Sequence, residues 1–423
     1  MKWSTLVILV LLCVNSLGDS SRTPVEIRTK WALPYYRFPD NGRAKAQSSA
    51  LGASAVNNAV LVNPFFTPAS FSIPALDQNT SAVGYAFWNA YRRAVGVSDL
   101  AVSSTLERSA SAHANYVTLN NSYSVEGHYE TEGHPGFTGV DPCVREKAAG
   151  YTEFCLGEEG NARLFAYQNI LGLVDGPYHR FGMLGNYFQE VGIGGVGLSA
   201  WFIDEGKYAP SDIAENNLIV YPFPGQPNSP RAWAVYESPS PMPDVRDGTV
   251  TGYPITIQAR TSGVLEISDF HLTTDGGIPV AGRPIADYAN TRTPLGRSFI
   301  WIPKRPLGAS KTYHVDVVGA VSGRPVVLSW DFHTEDMSAF TVAKSSATLS
   351  QNSSVTVDVA TNNPLSIFET TYYLFAGVSV ANPSPFKLVF TRANQACFCR
   401  IAITVQDENR LDAPTTVVLD LPN

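Results

Sequence analysis

Apolar residues recur at three- and four-residue spacing through parts of the first half of the chain, and at alternate positions through most of the second. Ser81 to Val95 places Phe87, Tyr91, Ala94 and Val95 on one helical face. Leu106, Ala110, His113 and Val117 repeat behind Ser104-Thr105-Leu106-Glu107, which has the form of a capping box. A second helix is predicted there, with His113 turned inward, first as a hydrogen-bonded core histidine and second as a site residue. Ala162 to Val174 reads as a third helix, ended near Gly176-Pro177. From Glu190 the period falls to two. Val191 and Ile193 alternate with Gly192 and Gly194, whose missing side chains allow a close backbone approach. Leu218-Ile219-Val220-Tyr221 and Ala232-Trp233-Ala234-Val235-Tyr236 read as further strands. Helices followed by strands on one core predict a layered α+β domain over residues 81–238.

Ser238 to Asp244 is proline-rich and predicts a stiff linker. Beyond it, Tyr253 to Arg260, Val264 to Phe270, Ser298 to Ile302, Tyr313 to Val318 and Val326 to Phe332 are short, alternating and turn-bounded. They predict an all-β sandwich over 245–336. A second β module over 337–423 follows, with strands at Val355 to Val359, Phe386 to Thr391, Ile401 to Val405 and Val417 to Leu421. Residues 19–80 show no sustained period and read as an N-terminal extension.

Composition narrows the class. A chain of 423 residues with 44% apolar and 16% charged residues is globular and long enough for about three domains. The net charge of −7, with no basic block, argues against nucleic acid as a partner. Lys2, the apolar run Leu6 to Val14 and the small-residue site Ser16-Leu17-Gly18 predict a signal peptide over 1–18. No later run approaches the ~18 apolar residues of a membrane helix. The expected product is therefore secreted, with no transmembrane segment. Apart from Cys13, four cysteines remain in two regions, and local pairing predicts Cys143 with Cys155 and Cys397 with Cys399.

Candidate chemistry concentrates between Gly127 and Gly194. The stretch contains Gly127-His128-Tyr129-Glu130, Arg145, Gly150-Tyr151 and Gly157-Glu158-Glu159. It closes on Pro177-Tyr178-His179-Arg180 and Gly192-Ile193-Gly194. Histidines and carboxylates are the groups that bind metals or move protons near neutral pH. In this order the fragments resemble the CAP superfamily (cysteine-rich secretory proteins, antigen 5 and pathogenesis-related proteins) in its bacterial-type form. The resemblance covers roughly Ser81 to Ser238. It implies a three-layer α-β-α sandwich in which the early His, the Gly-Glu carboxylate and the late His share one cleft, with a divalent metal in some members. By motif match those residues are His128, Glu158 and His179. The family's Gly-Glu-Asn stands here as Gly157-Glu158-Glu159, so either glutamate can supply the carboxylate. The second Glu of many eukaryotic members is missing, and Asp175 is the nearest acid.

His128, Glu158 and His179 are thus the candidate catalytic and metal-binding residues. Around zinc they supply three ligands and leave a position for water. Without metal, Glu158 serves as base while a histidine polarises or protonates the substrate. The bland alternative is that these groups tie loops together by hydrogen bonds. Glu130 is either a partner orienting His128 or an exposed acid. Arg145 reads first as a structural ion pair beneath the cleft and second as a group that binds an anion, and Arg180 carries the same ambiguity. Tyr151 and Tyr178 are expected to wall the cleft, Glu190 to anchor a loop and His134 to occupy a turn. His271, His314 and His333 read as half-exposed sheet residues, and Trp301 and Trp330 as core. No Gly-x-Ser-x-Gly elbow, phosphate-binding loop or His-Glu-x-x-His is present. The segment with Tyr253-Pro254, Tyr313-His314-Val315 and Trp330-Asp331-Phe332-His333-Thr334 resembles immunoglobulin-like modules of bacterial surface and periplasmic proteins.

These readings lead to a secreted protein that binds an extracellular or cell-envelope ligand (a cell-wall glycan, a lipid or a protein), with β modules as spacers or adhesion units. A metal-assisted hydrolase of cell-wall or extracellular polymer is the second expectation, and a non-catalytic scaffold the third.

Overall fold

The computed structural model describes residues 25–28, 71–76, 80–120, 127–161, 166–185, 188–196, 200–208, 218–237, 240–259, 264–285, 297–336, 340–361, 368–374, 377–384, 386–395, 399–407 and 414–422. The predicted signal peptide lies outside them.

Among the described residues the first elements are β1 (Val25–Arg28), α1 (Ser81–Ala94), β2 (Ala101–Val102), α2 (Ser104–Asn120), α3 (Pro142–Ala148) and β3 (Cys155–Asn161). Next come α4 (Ala166–Asp175), α5 (Pro177–Met183), β4 (Phe188–Val196) and β5 (Ala200–Tyr208). Strands order as β2-β4-β5-β3, with β2 parallel to β4 and the other pairs antiparallel. Helices cover both faces. A Cβ on Gly192 or Gly194 would overlap the α2 backbone at Leu106–Glu107 and Ala110–Ser111, so α2 lies directly on β4. The residue between them, Ile193, points the other way, packing where Gly84 brings α1 close. This is the expected three-layer sandwich.

Helix starts follow local chemistry. Thr80 caps α1 by accepting the Val83 N–H at 3.2 Å. The cap of α2 falls one residue earlier than the sequence suggested. Ser103 Oγ accepts the Leu106 N–H at 3.4 Å, while Glu107 does not close a box and instead accepts from the Tyr85 hydroxyl at 2.9 Å. Helix α3 was not anticipated. Asp141 caps it, accepting the Val144 N–H at 2.9 Å, and Pro142 occupies its first turn.

The chain then forms β6 (Ile219–Tyr221), β7 (Ala232–Ala234), β8 (Val250–Gly252), β9 (Ile255–Gln258), β10 (Leu265–Thr274), β11 (Gly282–Pro284), β12 (Ser298–Pro303), β13 (Thr312–Val321) and β14 (Arg324–His333). Two sheets, β11-β12-β9-β6 and β10-β13-β14, enclose a core that includes Val220, Ile257, Trp301, Val317 and Trp330. β6, β9 and the last four residues of β12 are buried on both faces. Ile219, Tyr221, Ile300 and Ile302 face the core built on α1 and α4, while Leu218, Val220 and Trp301 face the sandwich core. β6 precedes the proline-rich stretch and β9 follows it, yet the two pair antiparallel. Met242, within that stretch, is buried in the helical core. Arg180 fastens the junction. It donates to Val174 O at 2.7 Å, Asp175 O at 3.2 Å and Pro254 O at 2.7 Å, between the rings of Tyr221 and Tyr253.

The last module comprises β15 (Phe340–Lys344), β16 (Ser353–Thr361), β17 (Phe368–Leu374), β18 (Val378–Ser384), β19 (Lys387–Arg392), β20 (Cys399–Asp407) and β21 (Thr415–Leu421). Its sheets are β15-β16-β19-β18 and β1-β17-β20-β21, around Val357, Phe390, Ile403 and Leu419. The N-terminal extension therefore supplies an edge strand to the C-terminal module, which no sequence signal announced. Cys143 and Cys155 are bonded as predicted. Cys399 is also in a disulfide, and its expected partner Cys397 lies outside the described residues.

Candidate functional site

Strand alternation divides the candidate residues. Glu158 stands in register with Asp204 and Gly192, on the row that faces α2. Glu159 stands with Ile203 and Ile193, on the row that faces α1, α4 and α5. The two adjacent glutamates consequently serve two separate clusters.

The first cluster lies between the sheet and α2–α3. His128 Nδ1 is 2.8 Å from Glu158 Oε1, and Arg145 donates from Nη2 to Glu158 Oε2 at 2.7 Å and from Nη1 to His128 O at 2.8 Å. The Cys143–Cys155 disulfide ties α3, which carries Arg145, to the start of β3. Burial would raise the Glu158 carboxyl, but Arg145, His113 and His128 overturn that and hold it well below the usual range. Glu130 is buried and pairs with His113 at 2.9 Å rather than with His128, and it also takes the N–H groups of Thr138 and Gly139. Burial pushes Glu130 up, and its bonds to His113 and Thr138, with the Arg145 charge, bring it below the ordinary value. Glu146 is pushed up to about 9, first by burial and then by Glu158 and Glu205. Asp204 is raised well above its ordinary value by burial, then by Glu158 and Glu146. His128 is 6% exposed at its side chain. Its Nε2 has no bonding partner among the described residues.

The second cluster lies across the sheet. His179 falls inside α5, and its Nδ1 is 2.7 Å from Glu237 Oε1. The same oxygen accepts the N–H groups of Tyr178 and His179, each at 2.9 Å. Two glycines make room for acids: a Cβ on Gly176 would lie 2.8 Å from Glu237 Oε1, and one on Gly182 would lie 2.7 Å from Glu159 Oε1. Burial raises Glu159 well above its ordinary value, with Glu205 and Glu237 adding to it. Glu205 is pushed up to about 8 by burial, which Arg92 only partly offsets.

His128 and Glu158 are thus together, while His179 sits with Glu237 on the far face. Among the described residues no three His, Cys, Asp or Glu donors converge where an ion could bind. In the first cluster both Glu158 oxygens are engaged and a guanidinium stands where a cation would be repelled. The zinc set of His128, Glu158 and His179 is not assembled.

Arg145 forms the expected buried ion pair, and Glu190 anchors Tyr151 and Lys207 at 3.2 and 3.1 Å. His134 lies in a turn, His271 and His333 are exposed, and Trp301 and Trp330 are buried. Sequence reasoning missed Glu237, Asp204 and Glu205. For the last two a signal existed, an Asp-Glu pair following Trp201-Phe202-Ile203 in an otherwise apolar run. For Glu237 there was none.

A model of the cysteine-rich secretory protein family, CAP, matches residues 85–202. No curated protein matches the chain. Similar solved structures include fibronectin(III)-like modules of Clostridium thermocellum CbhA, at 9% identity and TM-score 0.25, covering 48% of this chain and 94% of that one. The Escherichia coli adhesin FdeC is similar at 10% identity and TM-score 0.24, over 53% of this chain and 77% of its own. The N-terminal part of the bacterial S-layer protein SbsC follows at 13% identity and TM-score 0.21, over 40% of this chain, which spans 41% of that structure's length.

Proposed function

We propose that the chain is a secreted CAP-domain protein that binds an extracellular or cell-envelope ligand at the His128 face, with the β modules presenting that face. The observation that carries this reading is His128: Glu158 holds its Nδ1, while Nε2 remains without a partner among the described residues. A fixed imidazole with one free nitrogen suits recognition of a hydrogen-bonding group. Glu158 as a general base is disfavoured, because a carboxylate held far below the usual range is a weak base near neutral pH. Binding is therefore preferred to hydrolysis. The test is sedimentation of wild type and His128→Ala with insoluble cell-wall glycan and with phospholipid vesicles. Saturable binding that weakens at least tenfold in the variant supports the reading. Equal binding by both proteins would move recognition to the β modules and favour adhesion. No binding to either material would leave the scaffold reading.

A further inference from the structure

We propose that Glu237 is the positioning residue of His179, fixing its tautomer so that Nε2 presents a bare lone pair to a hydrogen-bond donor. This goes beyond the reading of the His128 face as a ligand site, since His179 lies across the sheet with Glu237. Glu237 lies outside the matched residues 85–202, in the segment after β7.

Three nitrogens converge on Glu237 Oε1: the backbone N–H groups of Tyr178 and His179 at 2.9 Å, and His179 Nδ1 at 2.7 Å. The two backbone groups can only donate. An oxygen already receiving both presents lone pairs, so the third nitrogen must donate as well. The proton of the neutral ring is then on Nδ1, and Nε2 is an acceptor. Nε2 is buried without a partner among the described residues, and so is Glu237 Oε2. A buried acceptor left unfilled is costly. The group that completes this site is therefore an O–H or N–H donor, a hydroxyl or amine of a bound molecule or an ordered water. Gly176 is required for the arrangement, since any side chain there would meet Glu237 Oε1. Arg180, the next residue, is fastened to Pro254. The same short helix thus joins the histidine to the first β module.

The experiment is nitrogen NMR of the full chain labelled at histidine, with the His179 signals assigned by their loss in His179→Gln. Wild type is expected to show a protonated Nδ1 and an unprotonated Nε2. Glu237→Gln keeps an acceptor oxygen and should preserve that tautomer. Glu237→Ala removes it and should shift the proton to Nε2. An Nε2–H tautomer in wild type, or an unchanged tautomer in a folded Glu237→Ala, overturns the proposal. If Glu237→Ala does not fold, the wild-type and Glu237→Gln spectra decide. The readout needs no ligand, so failure of the proposal and failure of the binding reading are separately visible.

Discussion

The two clusters differ in how they make buried carboxylates tolerable. On the α2–α3 side a guanidinium bonds Glu158 directly, and the acid stays ionised. On the α5 side Glu159 and Glu205 are held by their protons, because burial outweighs the cation that acts on Glu205. One sheet thus separates an acid kept ionised by a guanidinium from an acid kept protonated by burial, although Glu158 and Glu159 are neighbours in the chain. Glu146 and Asp204, on the Glu158 side, are raised as Glu159 is. A motif read as one unit in sequence becomes two electrostatic environments, because side chains alternate along a strand.

The largest test of this contrast is removal of the cation. Arg145→Met leaves Glu158 buried without its guanidinium, with His128 still bonded to it, and should cost about 3–5 kcal/mol in urea unfolding. Glu159→Gln replaces an already neutral acid and should be close to neutral at the same pH. A comparable loss in both variants would break the distinction. Next is Gly194→Ala, whose Cβ would overlap the backbone of α2 at Ser111 and lift the helix that carries His113. A loss of about 1–3 kcal/mol is expected, together with a shift of His128 signals and none of His179.

The smallest effect is on pH dependence, where the paired acids Glu130 and Glu158 should act with the opposite sign to Glu205. Glu130 and Glu158 have depressed folded values, so their contribution is present above the ordinary value of 4.5 and is lost as pH falls through the folded values. Glu205 has a raised value, so its contribution is complete below 4.5 and is lost as pH climbs towards about 8. Thermal unfolding in wild type and Glu205→Gln should show a shallower alkaline decline in the variant. An identical decline would remove Glu205 from the account.

Much of the architecture was legible because it rests on short-range periodicity. The helix around Phe87 and Tyr91 and the strand carrying Gly192 and Gly194 follow from spacing alone. The glycines carried information because a backbone approach leaves no substitute for a missing Cβ. The candidate site was half legible. His128 and Glu158 meet, and Arg145 supports them, as the residue types suggested. His179 went elsewhere, because its partner Glu237 is set by the return of the chain after β7, a contact with no local signature. Glu130 chose His113 over His128 for a related reason: α2, packed directly on β4, carries His113 into the core beside it. The strand added by Val25–Arg28 was hidden too, since it pairs with β17 at the other end of the chain.

The pairing of β6 with β9 means that the structural unit and the recognisable unit have different ends. A gene fusion cut within the proline-rich stretch would look clean on a sequence map. It would strand β6 with an open edge and strip the backbone carbonyl of Pro254 from Arg180. Shuffling of this domain among proteins would then have to carry its first β neighbour along, so the two should travel through evolution as a single cassette.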